Sequence, residues 1–291
     1  MDVMTRIERR LAAALAPADD GPPQLAAAMR HAVFPRGARL RPRLCLAVAA
    51  ACTDDAPAVS DAVADAAAAA IELLHCASLV HDDLPCFDDA ATRRGRPTVQ
   101  CAFGVPLAVL AGDALIVLAF QVLGEGAARR PERLAQLLAI IAAATGAPAG
   151  IAAGQAWECE QFPDLGRYQR AKTGALFAAA TLAGAAAAGV PAEPWRALGE
   201  RLGEAYQVAD DIADAMATPE ALGKPVGQDA ALGRPSAVQT LGLDGALAHL
   251  DALAAAAVTA IPPCRGAAAL RALTLQESRR LLPIGLTQRV A

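Results

Sequence analysis

Hydrophobic positions in this chain recur at three- and four-residue steps rather than in alternation, which is the period of a helix and not of a strand. Met4, Ile7, Leu11 and Leu15 trace one such stripe. They predict an amphipathic first helix, although Arg6, Arg9 and Arg10 ahead of residues 11–18 give the same stretch a faint likeness to a secretory leader. Breaks are sparse and evenly spread, at Pro22-Pro23, residues 35–37, Pro57, 95–97, 104–106, Pro131, 146–150, 163–166, Pro191 and 219–225. Helical segments of about 12–28 residues fill the intervals, with caps and breakers at their ends. No linker interrupts them, so residues 1–291 read as one domain. Few segments alternate strictly, so no strand is needed, and an all-α bundle is the expected fold.

Composition strengthens the helical reading. Alanine, the best helix former, makes up about a quarter of the 291 residues, while aromatics are 3%. A hydrophobic content of 55% supplies a sizeable core and excludes a disordered chain. The charge-free runs 134–157 and 173–192 reach the length of a bilayer span. The first is broken by Gly146, Pro148, Gly150 and Gly154, and the second is mostly alanine, so both are expected as buried helices and no membrane span is assigned. A net charge of −4 excludes a basic nucleic-acid footprint. Seven cysteines without a CxxC pair argue against a disulfide framework or zinc site and for a reducing cytoplasm.

Two acidic clusters carry the chemistry. In His81-Asp82-Asp83-Leu84-Pro85-Cys86-Phe87-Asp88-Asp89, a continuing helix would return Asp82 and Asp89 to nearly one face, some 10 Å apart along the axis. Pro85 is expected to distort that turn and bring Asp88 round as well. In Asp210-Asp211-Ile212-Ala213-Asp214, Asp210 and Asp214 stand one turn apart. Like charges at this spacing weaken a helix, so a hard cation with oxygen ligands is the natural offset. Mg²⁺, held by one or two carboxylates plus substrate phosphates, suggests a diphosphate clamped between the clusters. The bases are 24 Arg and two Lys, and those two, Lys172 and Lys224, lie beside glycine breaks, where a compact ammonium suits a phosphate. Arg93-Arg94-Gly95 and the group Arg36, Arg39 and Arg41 before Pro42 add cationic groups for two diphosphates.

These motifs resemble the trans-isoprenyl diphosphate synthases, or polyprenyl synthetases. Asp82-Asp83-x4-Asp88 is similar to the long form of that family's first Asp-rich motif, and Asp210-Asp211-x2-Asp214 to its second. The likeness runs from Gly37 to Arg234. The string from His75 to Asp89, together with residues 223–229, most resembles bacterial geranylgeranyl diphosphate synthases of carotenoid and bacteriochlorophyll pathways. The resemblance implies an all-α, single-domain bundle around a deep central cavity and a homodimer. It implies a catalytic set of Asp82, Asp83, Asp88, Arg93, Lys172, Asp210 and Lys224. Asp82 and Asp88 would hold two Mg²⁺ and Asp210, with Asp214, a third. Arg93, Lys172, Thr173, Gln207 and Lys224 would contact the allylic diphosphate. Arg41, His75 and Arg94 would hold isopentenyl diphosphate, and Arg234 replaces a lysine of the family pattern among the binding residues.

Residues 36–39 depart from the usual Gly-Gly-Lys-Arg and leave Ala38 where the family has a lysine. Arg36 or Arg39 is expected to substitute, so that Arg36→Ala or Arg39→Ala raises KM for isopentenyl diphosphate. Gln100 and Glu158 are further, milder departures, standing for a common His and a common Asp. The implied reaction ionises the allylic diphosphate, attacks the cation with the isopentenyl double bond and loses a proton, so no Ser–His or Cys–His nucleophile is required. In the family, bulk near the fifth residue before the first Asp forms the floor of the product tunnel. Ala77, followed by Ser78, is small and implies a tunnel open beyond C15 and a C20 product; shorter C15 or C10 products are the alternatives. Only 10 aromatic residues (six Phe, two Trp and two Tyr) argue against a terpene cyclase, and two intact Asp motifs argue against a non-catalytic modulating subunit.

Overall fold

The first helix, α1 (Val3–Leu15), begins where the Asp2 side chain accepts the Thr5 backbone N–H at 3.0 Å, which satisfies one of the donors a helix start leaves open. Ile7, Leu11 and Leu15 of the expected stripe are buried, and Arg6 and Arg10 pair with Asp65 and Glu125. The segment therefore folds as part of the bundle. The computed structural model describes residues 2–34, 37–53, 62–128, 130–161, 164–216 and 236–280. Arg36, Lys224 and Arg234 lie outside them.

After α2 (Pro23–Val33) and α3 (Leu40–Cys52) comes the central helix α4 (Ala62–Asp82). Every residue from Ala66 to Leu74 is buried, and apart from Glu72 this stretch of α4 is apolar on all sides, as a helix enclosed by others must be. It packs against α3, α6 (Val105–Gly126) and α10 (Ala175–Ala188). Between α4 and α6 lie a hairpin and the short α5 (Val99–Phe103). The hairpin, β1 (Thr92–Arg93) with β2 (Arg96–Pro97), is an exception to the strand-free expectation. Its central residues Arg94 and Gly95 have φ of 53° and 72°, the pair of left-handed residues that a tight two-residue turn requires.

The charge-free run 134–157 divides into α7 (Pro131–Thr145), a turn through residues 146–150, and α8 (Ile151–Ala156). The run 173–192 is mainly α10, in which every residue from Leu176 to Ala187 is buried. Alanine makes this possible, because a methyl side chain lets helix axes approach closely on all sides. By length and composition alone, α4, α6, residues 166–188 and α12 (Ala237–Thr259) could cross a membrane. Most of α4 and of 166–188 is instead covered by protein. The short α9 (Leu165–Gln169) leads through a π-helical turn (Arg170–Gly174) into α10. Helix α11 (Arg196–Met216) then packs on α10 and α12, and α13 (Ala267–Arg280) returns to α3. One core cluster runs from Ile7 to Leu270.

Candidate active site

The first acidic cluster begins where α4 stops. The helix ends at Asp82, because Pro85 has no N–H to continue the ladder and its ring disfavours helical geometry before it. The chain then folds back, and the Asp88 N–H donates to the Asp82 carbonyl at 2.9 Å. This turn, rather than a distorted helix, brings Asp88 beside Asp82. Asp89 does not return to the same face: it is exposed with φ 44°. Asp83, expected among the catalytic carboxylates, is the buried counter-ion of Arg93, accepting from Nε at 2.8 and 3.0 Å and lying 2.6 Å from Nη2. One residue past the end of α4, it faces the hairpin that carries Arg93. Burial, and then the nearby Asp88 charge, push the Asp82 carboxyl up to about 6 against the pull of Lys172 and Arg93.

The π-helical turn supplies Lys172 and Thr173 as neighbours reaching in two directions. Lys172 Nζ lies 3.9 Å from Asp82 and 2.6 Å from Glu158. Glu158 also accepts from the Tyr168 hydroxyl at 2.7 Å and Gln155 Nε2 at 2.8 Å. Gly154 lets α8 approach this turn, since a Cβ there would stand 2.4 Å from the Lys172 backbone nitrogen. Thr173 Oγ1 donates to Gln207 at 2.9 Å, and Gln207 Nε2 donates to Asp211 at 3.0 Å. The other Asp211 oxygen accepts the Ala237 N–H at 2.7 Å, at the start of α12. A continuous chain of contacts thus links the first acidic turn to the helix that carries the second. Asp211 serves as an anchor in it, a role the motif spacing does not announce.

Asp210 projects elsewhere, into a hollow of about 390 Å³ that it shares with Tyr206, Ala38, Leu40, Arg43 and Glu277. Asp214 is half-buried one turn further on. Among the described residues, no three His, Cys, Asp or Glu side chains converge as a ready-made metal cage. An open trough of about 960 Å³ flanks the second motif, with Gln207 and Asp211 at its polar end and Ile140, Ala178 and Leu182 on its walls.

Arg41, His75 and Arg94 gather as expected. Arg41 is buried with its guanidinium stacked 4.5 Å above the Phe177 ring and 5.5 Å from Tyr206. Its Nη1 lies 3.5 Å from His75 Nε2, and its Nε is buried without a hydrogen-bond partner. Burial and the charges of Arg41 and Arg94 hold His75 well below its usual pKa, so the ring is neutral. An orphaned guanidinium donor beside a neutral imidazole is a receptor for an anion.

Arg39 is not part of this receptor. Its Nε donates to Glu8 at 2.9 Å, Nη1 to Glu72 at 2.6 Å and Nη2 to the Val33 carbonyl at 2.8 Å. With the side chain sealed from solvent, the expected substitution of Arg39 for the missing lysine gives way to a core ion triad. Ala77, the position the resemblance implies as the tunnel floor, is 1% exposed in the packed bundle, and no α4 residue lines the large trough. Ser78 donates its hydroxyl to the His75 carbonyl at 2.9 Å.

Known proteins resemble this chain along nearly its whole length. A geranylgeranyl diphosphate synthase of Cereibacter sphaeroides is 53% identical over 287 residues, covering 98% of both chains. One from Rhodobacter capsulatus is 51% identical over 286 residues, again covering 98% of each. A crystal structure of Helicobacter pylori geranyltransferase complexed with magnesium and isoprenyl diphosphate superposes with a TM-score of 0.76 at 28% identity, over 94% of this chain and 95% of that one. The polyprenyl synthetase family model matches residues 22–257. That span covers most of the helical bundle, and with relatives identical at half or more of their positions the chain belongs to the polyprenyl synthetase family.

Proposed function

We propose that this chain is a geranylgeranyl diphosphate synthase, a trans-prenyltransferase that extends allylic diphosphates with isopentenyl diphosphate to C20. The observation that carries the reading is the pairing of two anion subsites of different character. One combines Asp82 and Asp88 with Lys172. The other combines Arg41, with its orphan Nε, with His75 and Arg94.

The first subsite fits magnesium. Its donors are carboxylate oxygens, and the raised pKa of Asp82 shows a buried carboxyl that a cation would relieve. Mg²⁺ usually keeps several waters and is held by one or two carboxylates together with substrate phosphates, so few protein ligands are needed. Asp82 and Asp88 would hold two ions and Asp210, with Asp214, a third. Bound Mg²⁺ would act as a Lewis acid that lets the allylic diphosphate leave. Lys172 places a positive charge where the leaving group gathers negative charge. Arg93 is held by Asp83 at the edge of the same turn. Arg41 fixes the second diphosphate, and neutral His75 beside it can accept or donate a hydrogen bond without adding charge. No side-chain nucleophile takes part; the departing diphosphate removes the final proton.

The test is an incubation of the purified chain with Mg²⁺, labelled isopentenyl diphosphate and dimethylallyl, geranyl or farnesyl diphosphate in separate reactions. A C20 product is expected. C15 or C10 alone would leave a prenyltransferase of shorter product, and no product from any primer would overturn the reading. Ala77→Tyr puts bulk at the position the family resemblance implies as the tunnel floor and is expected to shorten the product to C15 or less; an unchanged product profile would remove Ala77 from chain-length control.

We also infer one domain, a cytoplasmic location and a homodimer. Val105, Val109, Leu110 and Val117 stand exposed along α6, an apolar stripe suited to a second copy. Light scattering is expected to give the mass of a dimer, and Leu110→Glu with Val117→Glu that of a monomer. A monomeric wild type would refute the interface.

A further inference from the structure

Glu158 is a carboxylate in a place that has to receive an anion. Its side chain is 13% exposed, and its charge is near enough to act on the Asp82 carboxyl. Lys172 Nζ lies 2.6 Å from Glu158 Oε1, against 3.9 Å from Asp82. Glu158 and an incoming diphosphate therefore compete for one ammonium. A carboxylate with no other donor would hold that ammonium tightly, because releasing it would strand a largely buried charge.

Two neutral donors offset this. The Tyr168 hydroxyl donates at 2.7 Å to Oε1, the same oxygen that Lys172 approaches, and Gln155 Nε2 donates at 2.8 Å to Oε2. When Lys172 turns to a phosphate, each carboxylate oxygen still accepts a hydrogen bond. The backbone fixes these parts relative to one another. A Cβ on Gly154 would stand 2.4 Å from the Lys172 backbone nitrogen and 2.5 Å from its Cα, and backbone cannot swing aside as a side-chain tip can. Gln155 and Glu158 follow Gly154 directly, so they are presented to Lys172 at short range. Tyr168 comes four residues before Lys172, on α9, whose start is capped by Asp164 accepting the Arg167 N–H at 3.0 Å. Its ring centroid lies 5.8 Å from Nζ, so ring and ammonium are neighbours while the hydroxyl is turned to Glu158.

We propose that Tyr168 is a positioning residue for the allylic diphosphate: its hydroxyl restrains the Glu158 carboxylate, so that Lys172 is held ready on Glu158 and released to the substrate. The inference rests on the proposed function, and Tyr168 acts through Glu158 and Lys172 without touching substrate. Tyr168→Phe keeps the ring and removes one hydroxyl. Oε1 then loses its neutral donor and keeps Lys172 from the diphosphate. Losing a hydrogen bond to a charged group corresponds to about 10-fold or more in affinity.

The experiment is calorimetric titration of the full chain with geranyl diphosphate and Mg²⁺ in the absence of isopentenyl diphosphate, with KM measured for both substrates. Tyr168→Phe is expected to weaken geranyl diphosphate binding about 10-fold and to raise its KM in step. KM for isopentenyl diphosphate and the melting temperature are expected to stay near wild type. In a Glu158→Gln background, where no carboxylate charge competes for Lys172, the same substitution is expected to cost little. Equal losses in the two backgrounds, unchanged binding in Tyr168→Phe, or an equal rise in both KM values would overturn the restraint and leave the synthase reading intact. Failure of the wild type to bind geranyl diphosphate would overturn both.

Discussion

Asp82→Ala is expected to lower kcat by on the order of 100-fold or more, the cost of removing one preorganised electrostatic group from a site that must stabilise a leaving anion. The loss is expected on kcat because the carboxylate would act where charge develops, whereas the proposed role of Arg41 and its neighbours is to bind the other diphosphate. The pH dependence has a defined sign. The Asp82 carboxyl is raised from 3.8 to about 6 in the folded protein, so its ionised form is disfavoured by folding. In the metal-free chain the resulting destabilisation is present above that value and is relieved as pH falls through about 6 toward 3.8. Activity moves the opposite way, because a protonated Asp82 cannot hold a cation. kcat/KM at limiting Mg²⁺ should therefore fall below about pH 6, and Asp82→Asn should abolish that limb along with most of the rate. A near-normal rate in Asp82→Ala would remove the residue from the metal site.

Arg39→Ala is expected to act on stability first. It strips the buried partner from Glu72, itself 1% exposed, and from Glu8. Leaving a charge buried and uncompensated costs about 3–5 kcal/mol, a large share of the roughly 5–15 kcal/mol that holds a domain together. Thermal unfolding followed by circular dichroism should show a fall on the order of 5–15 °C. Glu72→Gln in the same background should recover part of it, since the stranded charge is then gone. An unchanged melting temperature would mean the triad contributes nothing, and would return Arg39 to the candidates for substrate binding.

The helical skeleton was legible because its signal is periodic and long. The stripe Ile7, Leu11 and Leu15 is buried as its spacing requires, and the alanine run of α4 is enclosed as its composition requires. The hairpin was not, since two residues on each side give no period and only Gly95 marks the turn. The first Asp motif was legible as chemistry but not as geometry. Pro85 was correctly read as a disturbance, yet it ends the helix and folds Asp88 back by a backbone hydrogen bond. Arg39 reads as a substitute for the missing lysine because it stands next to Ala38 among other arginines. The opposing signal was Glu72, one carboxylate inside the apolar run 66–74, which needs a buried cation somewhere in the chain. Glu158 reads as a mild variation and Asp211 carries no assigned role, and only packing shows one holding Lys172 and the other tying α11 to α12.

Asp210 and Asp211 are adjacent letters with separate duties, the first facing a hollow and the second capping the next helix. Selection on such a doublet comes from two sources, turnover and architecture. A descendant that abandoned catalysis would be free to lose Asp210 yet would still be pressed to keep Asp211. An eroded motif of this kind, with its second aspartate surviving alone, would mark a retired enzyme that is still required to fold.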